Sequence, residues 1–331
     1  MKRLWLPLLA CLLLLLALCA CGGKPEIGDG ELQFADSGDY YTVKGLGTYT
    51  GTVVEIPAEY KGKIVKSIGT GAFKDTDITK VILPNTLTTI NISAFENCTD
   101  LEEVVSNGAR IATVARDAFK NTPFLEDGIE REKVFYLGST LLGVSKDYEG
   151  ALVMKDGTYS TAYGALRGCT RLSSLTVPEG MYHFGKYALM DCTSLESVTF
   201  KGGIGYIGEG VFYGCSSLKS VTLKGSCTSI GPRAFAYCTS LSSVTLGEKT
   251  NTIDKSAFAH CASLTGITLP ATMKTLADEA FLHCTALTEI NFPDAMQKIG
   301  NKAFKGCTAL SVPTLDAHVT VGVLAFDGCI E

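Results

Sequence analysis

Cysteine and histidine are the residues of this chain whose spacing could do chemistry. Of its 13 cysteines, nine form a row: Cys98, Cys169, Cys192, Cys215, Cys238, Cys261, Cys284, Cys307 and Cys329, mostly 23 residues apart. Thiolates cross-link, hold zinc or act as nucleophiles, and each use makes a geometric demand. If the period stacks the chain on itself, neighbouring Cα atoms lie ~5 Å apart, inside the disulfide range. Identical positions in stacked coils, however, point their Cβ vectors in parallel, and an odd row leaves one thiol over. Zinc needs four ligands converging at ~2.3 Å, which a straight column does not offer, and no C-x-x-C pair occurs. A cysteine nucleophile needs an imidazole beside it, whereas His260 and Cys261 are successive residues and should face opposite sides of the coil wall. The row therefore reads as a structural core ladder of unpaired thiols, cysteine being among the most buried residue types. Disulfides between some rungs and a bound metal are the competing readings.

The position before the cysteine should face outward. There Tyr237, His260 and His283 follow one another on three successive periods, where neighbouring periods hold Gly, Asn or Asp. Three stacked rings make a candidate interaction stripe; surface rings shielding one another is the plainer reading, and two imidazoles are few for a metal. Phosphate-binding glycine loops, H-E-x-x-H and G-x-S-x-G do not occur, and the carboxylates are scattered. Repeats and caps use up the chain, so the expectation is a non-enzyme without cofactor. The net charge of −5 becomes −7 without Lys2 and Arg3 and is spread without a basic patch. A nucleic-acid partner is thereby disfavoured, because phosphate binding needs concentrated positive charge.

The element that positions these residues is a repeat. An A-F anchor falls at Phe73, Phe95, Phe119, Phe212, Phe235, Phe258, Phe281, Phe304 and Phe326, with Leu166 and Leu189 in the same role. The steps are 22, 24, 47, six of 23, and 22, the 47 being two periods that hold one irregular unit. Within a unit, "LSSVTL" alternates: Leu241, Val244 and Leu246 point inward while Ser243 and Thr245 point out, as in a half-buried strand. One unit cannot bury its apolar face alone, but stacked units can. The fold expected is a repeat solenoid, β-rich with irregular or 3₁₀ turns, with one short parallel strand per ~23-residue coil stacked at ~4.8 Å. Its outward strand positions, Thr176, Thr199, Thr222, Thr245 and Thr268, form a small hydroxylic sheet face. That face lacks the aromatic and Arg anchors of a hot spot and reads either as solvated β-forming threonine or as a weak multivalent surface.

The unit "IGxxAFxxCxxLxxVxLP", seen in "AFAHCASLTGITLPATMKTLADEAF", resembles the BspA-type leucine-rich repeat of bacterial and some protist surface proteins. The resemblance covers about residues 65–331 and implies a leucine-rich-repeat solenoid wound as a right-handed superhelix. It also implies adhesion or protein binding at a cell surface, the partner being an extracellular-matrix or other surface protein. A glycan- or nutrient-capturing lipoprotein and a structural envelope protein are the alternatives.

The N-terminus has the regions of an export signal: Lys2 and Arg3, then an apolar run too short for a membrane span. "LCACGG" resembles a bacterial lipobox, with Leu18 at −3, Ala20 at −1 and Cys21 as the first mature residue. That resemblance implies a signal peptide over 1–20, lipidation of Cys21, and anchoring to the outer face of a bacterial membrane. Residues 21–27 then form a lipidated spacer, 28–66 a β-rich cap and 67–331 the solenoid. An irregular coil occupies about 120–162. In it "KVFYLG" and "TLLGVS" read as a hairpin between the charged runs "EDGIEREK" and "SKDYEG", either a scaffold element or a recognition loop at 126–149. The coil of Cys329 is followed only by Ile330 and Glu331, so its edge is expected either to cover itself or to meet a partner.

Overall fold

The computed structural model describes residues 29–223 and 225–331; Cys21 and the signal segment lie outside them. The alternating segments build a parallel sheet along one side of a solenoid. Leu172–Val177, Ser197–Phe200, Ser220–Thr222, Ser243–Thr245, Gly266–Ile267 and Glu289–Ile290 pair in order, with Ser174 opposite Ser197, Ser197 opposite Ser220 and Ser220 opposite Ser243. Register is therefore one period per strand. Leu175, Val198, Val221, Val244 and Ile267 are buried behind the sheet.

A second parallel ladder runs up another wall: Ser229–Ile230, Thr252–Ile253, Thr275–Leu276, Lys298–Ile299 and Thr320–Val321. Sequence reading expects one strand per coil because a two-residue strand has no room to show alternation. Ile230, Ile253, Leu276 and Ile299 of this ladder are fully buried. The N-terminal coils repeat both walls, with Val53–Glu55, Lys80–Leu83 and Glu103–Ser106 on one side. Lys63–Ile68, Thr89–Ile90 and Thr113–Val114 make the other. Gln33–Asp36 and Tyr41–Gly45 form an antiparallel pair that joins Lys63–Ile68 through Tyr41–Gly45.

The A-F turn joins the walls, and its backbone explains the stacking. Two residues per turn have left-handed φ, for example Arg233 at 55° and Tyr237 at 61°. The N–H groups of Arg233, Phe235 and Tyr237 then all point along the solenoid axis and donate to Lys255, Ala257 and Ala259 O at 3.0, 2.8 and 2.9 Å. The same three bonds join Gly210, Phe212 and Gly214 to Pro232, Ala234 and Ala236. An unpaired buried donor costs ~1–3 kcal/mol, and in the regular coils the next coil removes that cost by answering all three. The Phe212–Phe326 rings stack 5.1–5.3 Å apart and within 10° of parallel.

The irregular coil interrupts this order. Where the sequence shows a charged run, the structure has a helix, α1 (Pro123–Glu132). Thr122 caps it by accepting from Leu125 N, Pro123 stands at its start, and Lys133 closes it with a left-handed φ of 63°. Only Phe124 and Gly128 of α1 are buried, so no apolar periodicity announces it. Val134–Leu137 and Thr140–Val144 follow as an antiparallel hairpin. A Cβ on Gly128 would stand 2.5 Å from the Phe135 ring, so this glycine lets helix and hairpin close.

Candidate functional site

The cysteine row lies along the inside of the solenoid. All ten described cysteines are free thiols, and every rung but Cys329 is buried. Cys192, Cys215, Cys238, Cys261, Cys284 and Cys307 donate to the carbonyl of the A-F anchor one coil back, at 3.0–3.2 Å. Cys98 does the same to Phe73 O at 2.9 Å and Cys329 to Phe304 O at 3.4 Å, while Cys169 stands 3.8 Å from Val144 O in the irregular coil. The anchor's N–H is used by the following coil and its carbonyl already accepts a backbone N–H of its own coil, as Phe235 O does from Cys238 N at 3.1 Å, so the thiol fills that oxygen's second acceptor site. Burial pushes Cys238 well above the ordinary thiol range and Cys169 up to about 11, which removes at these rungs the thiolate that cross-linking, metal binding or attack requires, whereas a hydrogen bond with Cys284 lowers Cys307. Among the described residues no cluster of three His, Cys, Asp or Glu could hold a metal ion.

The rings before the cysteine form a contiguous stack on the outside. Tyr237 and His260 lie 4.5 Å apart and 9° from parallel, and His260 and His283 lie 5.1 Å apart at 35°. Tyr213, one position earlier in its own coil, extends the stack by a tilted contact with Tyr237 at 5.3 Å. All three stripe residues take a left-handed φ, 61°, 63° and 57°, which explains why other coils place Gly, Asn or Asp there. Tyr237 is 43% exposed. Burial first and His283 second hold the His260 imidazole below its ordinary pKa. The stack ends against Gly306, where any Cβ would stand 2.3 Å from His283 Nδ1.

On the sheet face, Thr199, Thr222, Thr245 and Thr268 are exposed and Thr176 is half-buried. The ring stripe belongs to the turn and this face to the strand, so they are separate surfaces.

A second aromatic group escaped sequence reading. Tyr159 stacks on Tyr182 at 5.4 Å, His183 stacks on Tyr206 at 5.5 Å, and Tyr182 meets His183 edge-on at 5.0 Å. Tyr187 OH donates to Glu209 Oε1 at 2.5 Å. A cavity of about 470 Å³ beside them is lined by Tyr163, Tyr187, Tyr206, Glu209 and Arg116. His183 is 7% exposed, its Nδ1 has no partner, and burial lowers its pKa. The signal lies in the spacing: Tyr159 to Tyr182 and His183 to Tyr206 are both steps of 23, the same period as the anchors.

The repeat family that matches the chain agrees with the coil period. The family described as BspA type leucine rich repeat region matches residues 62–143, 151–262 and 205–331, in six copies. A leucine rich cell surface protein from Faecalibacterium prausnitzii is 22% identical, over 86% of this chain and 92% of that one, with a TM-score of 0.36. A leucine-rich repeat protein from Bacteroides ovatus is 21% identical, over 88% and 98%, with a TM-score of 0.33. The pneumococcal vaccine antigen PcpA is 13% identical, over 88% and 70%, at a TM-score of 0.33. No curated protein matches the chain.

Proposed function

Because the chain belongs to the BspA-type leucine-rich-repeat family, we propose that it is an exported lipoprotein that binds other proteins at the cell surface, acting by adhesion and not by catalysis. The observation that carries this is the surface stack of Tyr237, His260 and His283, exposed at both ends and half-buried at His260. Rings occupy backbone positions that favour glycine, and Tyr is enriched where interfaces concentrate their binding energy. The hydroxylic sheet face supplies a second, weaker surface. Cys21 would carry the lipid, each buried methylene adding ~0.8 kcal/mol of membrane affinity. No helix among the described residues is long and apolar enough to cross a membrane. The partner class is a matrix protein or another surface protein.

The test presents residues 22–331 to immobilised matrix proteins and to a glycan array. Alongside runs a triple variant, Tyr237→Gly, His260→Asn and His283→Gly. Protein binding that falls at least ~10-fold in the variant, or about 1.4 kcal/mol, at unchanged thermal stability supports the reading. Binding to glycans alone overturns it. Replacing Cys21 by Ala should abolish incorporation of labelled fatty acid; incorporation that persists would remove the anchor.

The glycan reading has its own observation. The tyrosines at 159, 182 and 206 with the Tyr187–Glu209 pair provide ring faces next to hydrogen-bonding groups, which the sheet face does not. Glycan binding lost in Tyr206→Ala and kept in the triple variant would favour it.

A further inference from the structure

Apart from the last, each A-F turn in the regular coils hands three N–H groups to the coil that follows. Ser93, Phe95 and Asn97 donate to Arg116, Ala118 and Lys120 O at 3.1, 2.8 and 2.9 Å. Gly164, Leu166 and Gly168 do the same toward Lys186, Ala188 and Met190. At the seam between these coils the series fails. Among the described residues no acceptor stands opposite the N–H groups of Asp117, Phe119 and Asn121.

The cause is an asymmetry in how the irregular coil fills the gap. Its hairpin serves the far side: Val144 N donates to Ala165 O at 2.8 Å, and Lys146 Nζ donates to Arg167 O. The near side receives no carbonyl. The two coils still touch at one end, where Tyr163 N donates to Val114 O at 2.9 Å, so the gap opens as a wedge toward Lys120 and Arg167. It holds a groove of about 900 Å³. The Phe119 turn forms one wall, and Leu125 and Ile129 of α1 with Leu142 of the hairpin give it an apolar side.

We propose that this groove is a docking site for an extended segment of a partner protein, held by main-chain carbonyls on Asp117, Phe119 and Asn121 with an apolar side chain against Leu125 and Ile129. The donors sit on alternate residues in a row, as strand-addition sites present theirs. Their equivalents in the regular coils pair with three alternate carbonyls of the neighbouring coil, never with a single point. A compact anion would answer at most part of such a row. The lining charges also argue against an anion, because four cations, Lys133 and Lys146 among them, are offset by five carboxylates, among them Glu126, Glu130 and Asp147. A peptide backbone is neutral and supplies carbonyls at the required period. The proposal rests on the protein-binding reading and names a site for it apart from the ring stripe.

Hydrogen exchange on the full-length chain tests the first half. The amides of Asp117, Phe119 and Asn121 should exchange at least ~100-fold faster than those of Ser93, Phe95 and Asn97. Equal rates would mean that the donors are already bonded and would end the proposal. For the second half, a displayed library of random nine-residue peptides is selected on the full-length chain, and enriched peptides are synthesised. They should slow exchange of the three amides at least ~10-fold and lose ~10-fold in affinity against Ala115→Trp, which fills the groove floor. Glu130→Trp, on the exposed side of α1, serves if Ala115→Trp misfolds. No enrichment, protection of amides elsewhere, or protection by inorganic phosphate alone overturns the site. Matrix-protein binding that survives the filled groove but not the ring-stripe variant leaves the broader reading standing and sinks this one.

Discussion

The column before the cysteine is built in two ways on the two sides of the irregular coil. Toward the N-terminus it holds Asp75, Asn97 and Asn121, with left-handed φ of 59°, 62° and 58°. Asn97 Nδ2 donates to Asp75 Oδ1 and Asn121 Nδ2 to Asn97 Oδ1, both at 2.7 Å. Toward the C-terminus the same column holds Tyr237, His260 and His283 at nearly the same φ. Asn and Asp tolerate this conformation, and their side chains tie coil to coil. A ring there meets ~1–2 kcal/mol of strain without such a bond, and it persists because the three axial N–H bonds of each turn over-determine the backbone. The amide ladder therefore explains itself as structure, whereas the ring ladder lacks that tie and is the surface the proposed binding would use.

The largest effect tests what the two halves share. Phe258, fully buried between Phe235 and Phe281, should cost ~3–5 kcal/mol on truncation to Ala in denaturant unfolding. Phe124→Ala should cost less, since Phe124 covers Phe119 only from the edge of the seam, at 59° to its ring. Equal losses would show that the seam is as tightly packed as the regular coils. The next effect belongs to the amide half. Asn97→Ala removes both ladder bonds and leaves a methyl at a left-handed position, for a loss of about 1–2 kcal/mol. A loss below a few tenths of that would make the amide ladder ornamental.

Acid separates the halves by window. His183 and His260 have folded pKa values below the unfolded one, so the unfolded chain binds their protons first. Their stability contribution is complete above about pH 6.5 and is lost as pH falls toward the folded values. In the amide half the leading group is Glu96, which its hydrogen bond with Lys74 holds down at about 2. Its contribution is present above the usual carboxylate pKa and is lost as pH falls from there toward 2. Hydrogen exchange by coil should therefore show the tyrosine–histidine coils loosening first on acidification. A double variant, His183→Gln with His260→Asn, that keeps the higher-pH window would refute the assignment.

The smallest effect is the sharpest. Tyr237→Gly relieves the left-handed strain and loses one stacked contact worth ~0.5–1.5 kcal/mol, so thermal unfolding should move little in either direction. A loss as large as that of Asn97→Ala would make the stripe structural and erase the distinction between the two ladders.

Much of this architecture was legible from residue types at a fixed period. The A-F anchors, the inward rank of Val221, Val244 and Ile267, and the outward Tyr237 all follow from which position recurs. The helix α1 was not legible, because Phe124 and Gly128 alone are buried and its face carries charge. The second ladder was too short to alternate. The Tyr159–Tyr206 group recurs at the same period as the anchors, but each of its columns spans only two coils, too few to stand out from the long Phe and Cys columns.

By itself, then, the sequence determined the period, the stacking and which side of each coil is apolar. These are properties of order along the chain, and a regular repeat converts order into position. Tertiary structure alone decided how the coils answer one another across 22 to 24 residues. It set the thiol-to-carbonyl rungs at 3.0–3.2 Å and the contact of Tyr237 with His260. It also set the row of N–H groups at Asp117, Phe119 and Asn121 that the next coil leaves without an acceptor. A hydrogen bond between coils depends on the path of both neighbours, and one irregular unit is enough to withhold it.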